Sequence, residues 1–122
     1  SIYQFTVSNS ASIAQTIYAS LTANTNTFAN LKYCIFEGEA GTTDTEKVAC
    51  RNMPAEKSTD KNIFSELIPA TTGTHTYTLV MYINETTEDQ TPTDSGKTFA
   101  GTISITSGDG SNYMTGALTA KA

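Results

Sequence analysis

Apolar residues recur at every second position along most of this chain, and that period dictates extended backbone. Tyr3, Phe5 and Val7 alternate with Gln4 and Thr6; Ile17, Ala19 and Leu21 alternate with Thr16, Tyr18 and Ser20; Leu31, Tyr33 and Ile35 alternate with Lys32, Cys34 and Phe36. Successive side chains of a strand point to opposite faces, so this pattern gives each segment one face for a core and one for water. Clusters of Asn, Ser, Thr and Gly separate the runs and supply the turns. A helix needs apolar residues three and four apart, and these runs lack them.

The strongest strand signal spans His75 to Ile83. Tyr77, Leu79, Met81 and Ile83 share one face, while Thr76, Thr78, Val80 and Tyr82 share the other. Phe99, Gly101, Ile103 and Ile105 repeat the pattern against Thr98, Ala100, Thr102 and Ser104, and Tyr113 to Ala120 follows as a weaker strand after the Gly108-Asp109-Gly110 turn. Residues 38–60 read as a long polar loop with at most one short strand at Val48 to Cys50. Ile63-Phe64 and Leu67-Ile68 leave a short helical turn open as an option, and 84–96 reads as an acidic loop. Seven or eight one-sided strands must bury their apolar faces against a second sheet. The expected fold is all-β, an antiparallel β-sandwich of immunoglobulin-like or jelly-roll type, with a barrel as the alternative. Residues 1–122 are read as one domain.

Composition agrees. Of 122 residues, 23 are Thr, a β-branched residue suited to the wet face of a strand. Twelve acidic against seven basic residues give a net charge of -5. No run of Lys or Arg exists, so nucleic acid is not an expected partner. No apolar run is long enough to cross a bilayer as a helix. Ser1 follows no Met, so the chain is read as processed or excised from a longer one.

Catalysis needs a nucleophile, a base and an orienting group together. The only histidine, His75, begins a strand in phase with Tyr77 and Leu79, which reads as an edge or capping residue. No zinc-protease motif, phosphate-cradling loop or singled-out carboxylate pair is present, so no catalytic residue, cofactor or metal is expected. Two cysteines and one histidine do not complete a four-ligand zinc site. Cys34 and Cys50 are instead expected as a disulfide, closing a loop of about 15 residues and contributing roughly 3 kcal/mol; a pair of free thiols is the alternative. Such a bridge places the chain in an oxidising compartment. Asn84-Glu85-Thr86 is an N-glycosylation sequon, making Asn84 a candidate glycan site. Tyr18, Tyr82 and Tyr113 are candidates for stacking on a ligand.

Thr74-His75-Thr76-Tyr77-Thr78-Leu79, then Tyr82, Gln90 and Ser95-Gly96-Lys97-Thr98-Phe99-Ala100-Gly101-Thr102-Ile103, resembles a group of Gram-positive cell-surface proteins related to the camelysin/TasA-type biofilm-fibre subunits. Phe5-Thr6-Val7-Ser8-Asn9-Ser10 is similar to their strand-then-turn element, as is Asn26-Thr27-Phe28 through Leu31 and Tyr33. The resemblance touches residues 3–36 and 63–105. It implies a sandwich, export to the cell surface and a structural role in a fibre, and it implies no catalytic residues.

The expected function is therefore an extracellular structural subunit that self-associates into filaments by strand exchange. Ser1 to Val7 and the nearly uncharged Asn112 to Ala122 are the candidate donor segments, with Tyr3, Phe5 and Val7 as anchors. Termini that pair inside their own domain fit the same pattern. The rival is a monomeric adhesin or carbohydrate-binding module that takes a surface glycan or protein ligand through its loops or tyrosines.

Overall fold

The computed structural model describes residues 1–9, 11–39, 45–70, 73–83, 96–108, 110 and 112–121. The acidic loop and its sequon Asn84 lie outside the described residues. Eight strands follow one another: β1 (Ile2–Asn9), β2 (Gln15–Asn26), β3 (Leu31–Glu37), β4 (Thr45–Asn52), β5 (Thr59–Ile68), β6 (Gly73–Ile83), β7 (Thr98–Ser107) and β8 (Asn112–Lys121). They form two four-stranded sheets, ordered β1-β6-β3-β4 and β5-β2-β7-β8, with every pair antiparallel. Only β3–β4 and β7–β8 connect within a sheet; the other connections between consecutive strands cross from one sheet to the other.

The period-two runs place the core. Tyr77, Leu79 and Met81 of β6, with Phe99, Ile103 and Ile105 of β7, are all buried in a single cluster, facing each other across the sheets. Phe5 and Val7 of β1, Ile17, Ala19 and Leu21 of β2, and Leu31, Tyr33 and Ile35 of β3 join them. Burying one such leucine or isoleucine stabilises the fold by about 1.5–3 kcal/mol relative to leaving it in water.

Two segments differ from the sequence reading. The stretch 38–60 is not one long loop, since it carries the eight-residue β4 and the start of β5. The segment Ile63–Ile68 is strand, not a helical turn. Both strands lie at sheet edges and carry irregularities: single-residue bulges in β4 that upset the alternation, and two extra residues in β5 that interrupt its pairing. In β4 the pairing with β3 shifts twice, leaving Val48 as its one buried apolar residue. In β5 the register with β2 shifts between Phe64 and Asp60, around Asn62, whose φ is +51°. The pairs Ile63-Phe64 and Leu67-Ile68 imitate a helical spacing, yet Phe64 and Ile68 are buried, Ile63 packs partly against the core beside the irregularity, and Leu67 is exposed.

The β1–β2 corner is tied by Asn9, which is buried. Its Nδ2 donates to the carbonyls of Ile13 (3.0 Å), Ile68 (3.0 Å) and Pro69 (3.2 Å), and its Oδ1 accepts from the Ala11 amide (2.9 Å). One side chain thereby satisfies backbone groups at the end of β5 and fastens an edge strand of one sheet to the other.

Candidate functional site

The described residues bring chemistry-bearing side chains together along one side of the sandwich, where edges β4 and β5 meet. β5 turns two carboxylates inward, Asp60 and Glu66, in phase with Phe64 and Ile68. Each receives a hydrogen bond from a tyrosine of the opposite sheet: Tyr33 Oη donates to Asp60 Oδ2 (2.9 Å), and Tyr77 Oη donates to Glu66 Oε1 (3.2 Å). Each also meets a cation from β4. Lys47 Nζ lies 2.8 Å from Glu66 Oε1, and Arg51 Nε lies 3.9 Å from Asp60 Oδ2. The bulge that brings Lys47 into β4 is what lets it reach across to the second sheet. The same tyrosine–carboxylate–cation unit thus occurs twice along this side.

Glu37 and His75 extend the Glu66 unit. Lys47 Nζ is 3.3 Å from Glu37 Oε1, and His75 Nδ1 is 3.5 Å from Glu37 Oε2. Glu37, Glu66 and His75 hold three potential ligand atoms within 4.8 Å of one another. Two carboxylates and an imidazole are a donor set that a divalent cation accepts. Lys47 already stands between the two carboxylates and supplies their counter-charge. Its pKa is raised, chiefly by the hydrogen bond to Glu66, so the ammonium is held in place. Burial, together with the adjacent Glu66 or Asp60, also raises the Tyr77 and Tyr33 phenols well above the usual range. The arrangement closes the open side of the sandwich with satisfied polar groups, and the described residues contain no buried side-chain polar atom without a partner. Nothing in it sets a nucleophile against the imidazole.

The cysteines do form the expected bridge. Cys34 leaves the outer face of β3 and meets Cys50 of β4, with Cα atoms 4.2 Å apart. The β3–β4 register shift places Ala49 and Cys50 opposite Cys34, so the bulge and the bridge coincide. On the same outer face Ile2, 65% exposed, pairs with Val80, which in turn pairs with Cys34.

The three candidate tyrosines do not converge. Tyr82 points out of the β1-β6-β3-β4 sheet, paired with Lys32. Tyr18 belongs to the outer side of the other sheet, its ring near Gly108, and Tyr113 packs against the core. The anchors Tyr3, Phe5 and Val7 all face inward from β1, with Phe5 stacked between Tyr3 (6.0 Å) and Tyr77 (5.4 Å).

Sequence reasoning missed the paired carboxylates. The signal was present in Phe64, Glu66 and Ile68, an acid lying in the core-facing phase of a strand. Comparison with protein-family models and with curated proteins finds no match for this chain.

Proposed function

We propose that this domain is an extracellular structural subunit of a surface fibre, joined to its neighbours by strand exchange, with no catalytic role. The observation that carries the reading is the place of β1. It is a sheet edge held by a single ladder to β6, in unbroken register from Ile2↔Val80 to Asn9↔Gly73. It has no charged side chain, and its inward residues Tyr3, Phe5 and Val7 plug one side of the core. A strand with one ladder neighbour makes the same contacts whether its own chain or an adjacent copy supplies it. The disulfide supports an oxidising compartment, and the resemblance read from residues 3–36 and 63–105 supports the cell surface. Tyr18 and Tyr82 stand on opposite outer faces, which does not favour the glycan-binding alternative.

The test is to remove residues 1–9 and examine the protein by negative-stain microscopy and unfolding. The expected result is filaments from the full chain and a folded, destabilised monomer from the shortened one, with stability restored by the free peptide. A full chain that stays monomeric at high concentration, with Phe5→Asp unfolding it outright, sinks the proposal.

A further inference from the structure

The four sheet edges fall into two kinds. β4 and β5 carry the devices that prevent edge pairing: bulges, inward-turned charges, and Asn62 in a left-handed conformation. β1 and β8, which flank the opposite side of the sandwich, carry almost none. β8 keeps an unbroken register with β7 from Met114 to Lys121, its one shift falling before Met114. Its only charge, Lys121, stands at its very end.

The β8 sequence is also its own complement. When two antiparallel copies meet centred on Ala117, Thr115 faces Thr119 of the other copy and Gly116 faces its Leu118. Met114 faces Ala120, and Ala117 faces itself. No like charges oppose each other, threonine pairs with threonine across strands, and the bulky Leu118 finds a glycine. Thr115, Ala117 and Thr119 are exposed, and their neighbours on the outer face, Thr102 and Ser104 of β7, are small and uncharged. We infer that β8 pairs with β8 of a second copy about a two-fold axis at Ala117, joining two four-stranded sheets into one continuous sheet. A two-fold contact closes at the dimer, so it is separate from fibre growth through β1 and stands or falls independently of it.

Single cysteine variants read the register directly. Ala117→Cys should form a disulfide-linked dimer on a gel run without reductant, because the two Cβ atoms face each other across the axis. Thr119→Cys, which faces Thr115 of the other copy, should not. Ala117→Lys, which sets two lysines face to face at an exposed position, should halve the mass of the soluble species left after fibres are pelleted. Cross-linking of Thr119→Cys as fast as Ala117→Cys, or an Ala117→Lys mass equal to that of the unsubstituted chain, overturns the inference.

Discussion

The Tyr77 hydroxyl, carried by one sheet, donates to Glu66 of the other at 3.2 Å, and Lys47 holds the same carboxylate oxygen at 2.8 Å. The inter-sheet side of this sandwich is therefore closed by a polar unit whose parts come from three strands. Removing one part takes a partner from half-buried polar groups, which costs more than the bond contributes.

Tyr77→Phe should lower unfolding free energy by about 1 kcal/mol, and Glu66→Ala by about 1–3 kcal/mol because it strands the Tyr77 phenol and leaves the Lys47 ammonium with Glu37 alone. Urea unfolding of both single variants and the double variant measures the coupling. Strict additivity would show that the two residues do not act together.

Alkaline pH should weaken the fold through the same tyrosines. Both phenols have folded-state pKa values raised above the ordinary 10.0, so the unfolded chain releases these protons first. The stability they contribute is complete below about pH 10 and declines as pH rises beyond it, by about 1.4 kcal/mol per pH unit for each tyrosine. Unfolding midpoints across this range check the slope, and Tyr33→Phe with Tyr77→Phe should flatten it.

Thiol labelling of the denatured, unreduced protein should find no free cysteine. Cys34→Ser with Cys50→Ser should cost up to roughly 3 kcal/mol, the chain-entropy value for such a loop, read from thermal unfolding.

Gly116 lies beneath the Tyr3 ring, where an added Cβ would run into the tyrosine hydroxyl. Gly116→Ala should therefore destabilise the β1–β8 side by about 1–3 kcal/mol, as overpacking does. Tyr3→Ala should relieve part of that loss, so the double variant should be less destabilised than the sum of the two. Equal penalties with and without Tyr3 would place the cost elsewhere.

The central strands were legible because their alternation runs unbroken through the apolar positions, the bulge of β2 falling only after Ala23. Tyr77, Leu79 and Met81 could be assigned to the core from spacing alone, as could Phe99, Ile103 and Ile105. The cysteine pair was legible because the chain offers no other partner for either. The edges were not. Bulges in β4 change the parity of the residues that follow, two extra residues interrupt the pairing of β5, and a strand with water on one side needs few apolar residues to declare itself. Lys47 and Glu66 read as surface charges for the same reason: their partners lie on strands whose position only the sheet order reveals.

Ser1, at the start of β1, lines the same groove as Ala120 and Lys121 at the end of β8, so the two ends of the described chain lie at one end of the sandwich. That placement fixes how the domain bears load. Force applied at those two ends peels β1 from β6 one residue pair at a time, beginning at Ile2↔Val80. Force directed along β1 against the rest of its sheet strains all eight pairs together, so the same strand is a zipper in one direction and a shear joint in the other.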